Sequence, residues 1–206
     1  ISGAHLAGKL TGNTTFGASA AAMAHRGTRP AGQAQSVSLE HLWSGSREHR
    51  TLMNWVRADT GFDSPDSGAT AGRQEWRLEH YQPLSNTLSA SAKSLFSEAT
   101  TDNTHCGSAG VSLEKRFREW SLNAGTRHVW SSDGNTDTRF NTVQLGAERR
   151  VQLPGGRSLS IGMDAERDVS DSDRFRYGVN SRVQMFDHVS VYGRYEREQR
   201  LLQQSL

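Results

Sequence analysis

The sequence predicts an all-β fold, an up-and-down antiparallel β-barrel that crosses a membrane with about twelve strands. The clearest evidence is the segment from Trp120 to Trp130, in which two sets of residues alternate. The even-numbered residues are Trp, Leu, Ala, Thr, His and Trp, and the odd-numbered ones are Ser, Asn, Gly, Arg and Val. Residues of equal parity share a strand face, so the two tryptophans lie ~34 Å apart on one face. A tilt of ~40–45° projects this length to about 25 Å, the height of the apolar band on a membrane barrel.

The composition of the 206-residue chain supports strands over helices. Glycine occurs 20 times and proline only four times, and Ser, Thr and Asn are frequent, which suits strands joined by turns. No apolar run approaches the ~18–20 residues of a membrane helix, so a helical membrane protein is excluded. A net charge of +2 without a lysine-rich block gives no indication of a nucleic-acid partner.

Alternating segments recur along the whole chain, which we interpret as one β-barrel domain over 1–206 or a fragment of a longer barrel. The predicted strands are 3–11, 14–24, 35–44, 49–58, 73–81, 87–98, 108–117, 119–130, 139–149, 157–167, 174–183 and 188–197. Short connections near 12–13, 45–47, 82–86, 116–118, 153–156 and 184–187 alternate with long ones near 25–34, 59–72, 99–107, 131–138 and 168–173. Short turns at one rim and long loops at the other are typical of up-and-down membrane barrels.

The two parities predict two chemically different walls. The candidates for the lipid-facing wall and its aromatic girdles are Trp43, Trp55, Trp76, Phe96, Trp120, Trp130, Phe175, Tyr177 and Tyr195. The candidates for the lumen lining are Glu75, Arg77, Glu114, Arg127, Glu148, Asp164, Glu166, Arg176, Arg182 and Arg194. Both signs of charge occur on neighbouring strands, so cross-strand pairs of Arg176 or Arg182 with Asp164 or Glu166 are expected. Such a lining is either a closed, salt-bridged interior or the wall of a hydrated pore.

The segments 157–168 and 175–198, the latter including Val-Ser-Val-Tyr-Gly-Arg-Tyr-Glu-Arg-Glu, carry a resemblance to bacterial outer-membrane β-barrel proteins. The resemblance covers nearly the whole chain at the level of the class. It implies the bacterial outer membrane as location, membrane lipid and lipopolysaccharide as partners, and contact with other envelope protein chains. Members usually end on a strand with an aromatic last residue, whereas this chain ends Arg-Leu-Leu-Gln-Gln-Ser-Leu.

Catalytic, metal and cofactor sites are not predicted. The eight histidines show neither HxH nor HExxH spacing, and Cys106 is the single cysteine. The functions expected are therefore a channel of the porin type or a structural envelope component. Two alternatives remain open: a soluble β-rich binding module, and an outer-membrane lipid hydrolase that pairs His128 with a serine on a neighbouring strand. The hydrolase lacks a GxSxG element.

Overall fold

The computed structural model describes residues 2–24, 31–45, 48–62, 70–102, 104–170, 174–186 and 189–200, the last two residues of each of the final two ranges as backbone only. The strands are β1 (Ser2–Thr11), β2 (Thr14–Met23), β3 (Gly32–Leu42), β4 (Arg50–Ala58), β5 (Arg73–Ser85), β6 (Leu88–Ala99), β7 (His105–Phe117), β8 (Trp120–Ser132), β9 (Asp137–Leu153), β10 (Arg157–Asp168), β11 (Arg174–Phe186) and β12 (Val189–Arg200). A 3-10 turn, Trp43–Gly45, follows β3. No helix among the described residues is long and apolar enough to span a membrane.

The twelve strands form one antiparallel sheet whose order follows the sequence, from β1 to β12. The prediction of an all-β, up-and-down meander is therefore confirmed, and each predicted segment overlaps one observed strand. The sheet is not closed within the described part of the chain, because β1 and β12 are its two edges. Parts of the predicted connections at 25–34, 45–47, 59–72, 99–107, 168–173 and 184–187 lie outside the described residues.

Strand register aligns residues of equal parity into rows that cross the sheet. On β10, Met163 lies opposite Ala147 of β9 and Val179 of β11. The next residue, Asp164, lies opposite two glycines on the same neighbours. A slip of one residue would exchange the two faces, so this register maintains one apolar and one polar face.

The apolar face is the exposed one, which is the reverse of a soluble sheet protein. On β9 and β10, Leu145 is 57% exposed and Met163 is 62% exposed. On the opposite face of β10, Ser160 is 6% exposed and Glu166 is 9% exposed. Soluble proteins usually bury large apolar side chains, whereas here such side chains are exposed.

Contacts within the chain separate it into two compact units. The first comprises Ile1–Gln82, Ser91–Ala109 and Val129–Arg139, and the second comprises Pro83–Ala90, Gly110–His128 and Phe140–Leu206. The expectation of a single domain stays a prediction.

The first unit contains a small apolar core that the sequence pattern did not indicate. Phe62, in the connection after β4, is 1% exposed and packs with Ala34 and Ala58. A Cβ on Gly32 would lie 2.2 Å from the Phe62 backbone nitrogen, so only glycine permits this approach. Among the described residues, these three side chains are the whole of the buried apolar core.

In the second unit, glycines on the polar face make room for polar neighbours. A Cβ on Gly162 would lie 2.7 Å from the amide oxygen of Asn180. A Cβ on Gly178 would lie 3.0 Å from a carboxylate oxygen of Asp164. The glycines thus leave space for the polar side chains of Asn180 and Asp164 on the neighbouring strands.

The turn between β8 and β9 provides a test that depends on pH. The Asp133 carboxylate accepts hydrogen bonds from the backbone N–H groups of Asn135 (3.0 Å) and Thr136 (2.8 Å), which lower its pKa below the ordinary value. We expect this stabilisation to be complete above the ordinary pKa of ~3.9 and to be lost as the pH falls through the lower, folded-state pKa. An NMR titration should give a lower midpoint for Asp133 in the folded chain than in urea; equal midpoints would contradict the turn geometry.

Candidate functional site

The polar face of the second unit is organised around the carboxylate of Glu166 on β10. Arg127 Nη2 on β8 donates to Glu166 Oε1 at 2.5 Å. Arg176 Nη2 on β11 donates to the other oxygen, Oε2. Two guanidinium groups from different strands thus neutralise and hydrogen-bond one largely buried carboxylate, the condition under which a buried charge is tolerated.

The network continues from Arg176 to β12. Arg176 Nη1 donates to Glu196 Oε1 at 3.2 Å. Arg194 Nη2 then lies 2.9 Å from Glu196 Oε2 and 3.9 Å from Asp164 Oδ2. The expected pair of Arg176 with Glu166 therefore forms. Asp164 is paired with Arg194, because the register places both on the same polar face two strands apart.

Half of the predicted lumen candidates belong to this network, and the others lie elsewhere on the sheet. Glu114 accepts hydrogen bonds from Arg116 (2.9 Å) and Ser121 (2.8 Å) near the turn between β7 and β8. Arg182 lies 3.5 Å from Ser190 Oγ, and Glu148 is exposed on β9.

Glu75 and Arg77 lie on β5 in the first unit, outside the network. That any of the ten residues lines a lumen stays a prediction.

Among the predicted girdle residues, Trp43 belongs to a polar and aromatic cluster in the first unit. Its Nε1 donates to Thr51 Oγ1 at 2.9 Å. The Trp43 ring lies 4.7 Å from that of His41 and 5.7 Å from that of His49. The Thr51 hydroxyl is also 2.9 Å from Nδ1 of His80. Indole and imidazole groups thus gather where β3 and β4 are connected, at the predicted short-turn rim.

Four other girdle candidates lie in the first unit. Trp55 and Trp76 are register partners on β4 and β5, with ring centroids 5.9 Å apart. Phe96 lies 6.3 Å from the ring of His105. Trp130 is half-buried near the end of β8. The two ends of the predicted Trp120–Trp130 stripe therefore differ, because Trp120 is exposed.

The remaining girdle candidates belong to the second unit. The guanidinium carbon of Arg149 lies 5.6 Å from the centre of the Trp120 ring. Phe175 and Tyr177 lie side by side on β11, with ring centroids 5.8 Å apart. Tyr195 is exposed on β12. Aromatic rings with polar or cationic neighbours are typical of the boundary between an apolar phase and water.

The hydrolase alternative centres on His128, whose Nδ1 lies 2.8 Å from Oδ1 of Asn141 on β9. The backbone N–H and side-chain amide of Asn141 both donate to Ser170 Oγ, at 2.9 and 3.2 Å. The amide therefore lies between the imidazole and this hydroxyl. A nucleophile and its base must themselves be within hydrogen-bond reach, so these bonds do not join His128 directly to Ser170. The hydrolase alternative stays a prediction.

The described residues include one cysteine and several possible metal ligands. Within these ranges, no three His, Cys, Asp or Glu side chains are arranged to hold a metal ion. Cys106 is partly buried on β7.

No protein-family model, curated protein or solved structure matches this chain with significance. The assignment of function therefore rests on the fold and on the chemistry of its two faces.

Replacement of the shared carboxylate tests the network. In Glu166→Gln, both arginines lose their charged acceptor while the side-chain volume is kept. We expect a loss of about 1–2 kcal/mol in the free energy of unfolding, below the usual ~3–5 kcal/mol for a broken buried pair because both arginines are partly exposed. Urea unfolding followed by tryptophan fluorescence measures this loss. Glu148→Gln, on the same face and exposed, is the control and should change stability by less than about 0.5 kcal/mol; equal losses would show that Glu166 has no special role.

Proposed function

We propose that this chain forms the wall of a transmembrane β-barrel of the bacterial outer-membrane type and acts as a passive, hydrated channel. The observation that carries the proposal is the division of the sheet, in which large apolar side chains are exposed on one face and the charged side chains of the second unit are paired across strands on the other. A hydrocarbon environment around the exposed face explains this arrangement, because the apolar side chains then leave water without a protein core.

Backbone chemistry supports the same environment. Lipid supplies no hydrogen-bonding partners, so a membrane-spanning segment must satisfy its N–H and C=O groups within the protein, as a strand ladder does. The strands are ten to seventeen residues long apart from β4 with nine, compared with ~9–11 residues needed to span a bilayer at a tilt. The edge strands β1 and β12 each leave backbone N–H and C=O groups unpaired on one side. In lipid these groups need a partner strand, so strand pairing at both edges is part of the proposal.

The polar face supports an aqueous lining. The network of the second unit holds three arginines (Arg127, Arg176, Arg194) and three carboxylates (Asp164, Glu166, Glu196), so its charges balance. The arginine side chains remain 32–43% exposed, enough for contact with water. Balanced, hydrated charges suit the passage of small polar solutes without strong selection by charge.

A structural envelope role is the second candidate. The cross-strand ion pairs that link β8, β10, β11 and β12 favour it, because they brace the polar face by side chains as well as by the backbone. This role predicts a membrane-inserted protein that does not conduct. In both cases the outer membrane would supply the lipid partners, with lipopolysaccharide at the long-loop rim.

Arginine substitutions on the two faces of β11 test insertion into a membrane. Val179 lies on the exposed apolar face, and its neighbour Asn180 lies on the polar face. In a bilayer, Val179→Arg should cost about 2–4 kcal/mol near the midplane, whereas Asn180→Arg should cost much less. Heat-modifiable gel mobility after folding into vesicles measures the folded fraction. A chain that folds in buffer without lipid or detergent and tolerates Val179→Arg as a soluble protein would contradict the proposal and favour the binding module.

Charge reversal on the polar face tests the channel. In planar bilayers the chain should conduct, and Arg194→Glu should shift the reversal potential in a salt gradient towards cation selectivity, because it removes a positive charge from the lining and adds a negative one. Arg197→Glu, three residues further along β12 and on the opposite parity, is the matched control and should leave selectivity unchanged. Insertion without conductance would favour the structural role.

A further inference from the structure

A shallow apolar groove lies on the exposed face of the second unit. Its volume is about 640 Å³, within the range of ~300–1,000 Å³ typical of small-molecule sites. The register explains the depression, because Ala165 of β10 lies between Leu145 of β9 and Tyr177 of β11. Ala147 lies opposite Met163 in the next row. Short alanine side chains between longer ones leave a channel along the sheet surface.

One basic residue, Lys115, is part of the groove lining. Its Nζ donates to Thr87 Oγ1 at 2.8 Å and lies 5.7 Å from the centre of the Phe117 ring. Trp120 and Arg149 lie on the same face as the groove residues Leu122 and Ala147. Each is two residues nearer the adjacent turn, a distance of ~7 Å along its strand. The apolar groove thus opens at the short-turn rim onto a patch that is both aromatic and cationic.

We propose that this groove and its basic end bind an anionic phospholipid, with an acyl chain along the alanines and the phosphate at Lys115 and Arg149. The inference rests on the proposed membrane location and adds a specific lipid site to it. Charge complementarity identifies the occupant. Lys115 and Arg149 carry two positive charges against one negative charge on Glu119, which leaves one in excess to attract a phosphate.

The contacts that Arg149 already makes leave its guanidinium available to a phosphate. Glu119 Oε2 accepts from Arg149 Nη2 at 3.1 Å, and both side chains are about half exposed. An exposed pair of this kind contributes little to stability, so a phosphate can share the guanidinium at small cost. The cation–π contact with Trp120 meanwhile keeps the Arg149 guanidinium beside the apolar surface.

Lipid titration of the full chain in a neutral maltoside detergent tests the site. Phosphatidylglycerol and phosphatidylcholine with identical acyl chains are the probes, and native mass spectrometry counts the bound molecules. The unaltered chain should bind one phosphatidylglycerol at least fivefold more tightly than phosphatidylcholine. Lys115→Gln and Arg149→Gln should each reduce phosphatidylglycerol affinity by about fivefold, and the double variant should abolish the preference.

Two matched controls separate the site from general surface effects. Arg139→Gln removes one positive charge from the same face of β9 as Arg149, near the other end of that strand and outside the groove lining, and should leave the preference unchanged. Ala147→Phe fills the groove and should weaken the binding of both lipids. Ala18→Phe, on the apolar face of β2, should weaken the binding of neither.

The outcomes distinguish this inference from the proposed function. A chain that inserts into vesicles but binds both lipids equally, or whose preference survives the double substitution, overturns the lipid site alone. A chain that is monodisperse in buffer without detergent overturns the membrane location and the lipid site together.

Discussion

The alternation of side chains along paired strands is the constraint on which the whole structure depends. Each strand contributes one apolar and one polar row, and the register of neighbours such as β9, β10 and β11 keeps the rows in line. Among the described residues, the large side chains of the apolar rows are mostly exposed. This explains how a chain of 206 residues has a buried apolar core, among its described residues, of only Phe62 and two alanines.

The polar face of the second unit pairs its charges across strands. Glu166 is nearly buried, and an unpaired carboxylate there would be strongly destabilising. Two arginines remove that penalty, and their remaining N–H groups extend the pairing to β12. Glycines such as Gly162 and Gly178 are part of the same solution, since a Cβ at either position would collide with the polar side chains lying over it.

Sequence reasoning located the strands well and their ends less well. The prediction for β10 over 157–167 differs from the observed strand by one residue. By contrast, β9 continues to Leu153, four residues beyond its predicted end, because its ladder with β10 extends to the pair of Leu153 with Arg157. β7 likewise begins at His105, three residues before its predicted start. The polar loop residues there gave no signal that they would join a strand.

The sequence by itself determined which residues share a face, where the chain turns, and that one face is apolar and the other charged, because these follow from the two-residue period of a strand. The sequence also predicted the pair of Arg176 with Glu166, but only the tertiary structure decided the other charge pairs of the network. Arg127 on β8 and Glu166 on β10 are separated by a whole strand, and their contact depends on register and side-chain reach. The packing of Phe62 on Ala34 and the alanine groove were decided in the same way, since each brings together side chains from different strands or connections whose proximity no local pattern encodes.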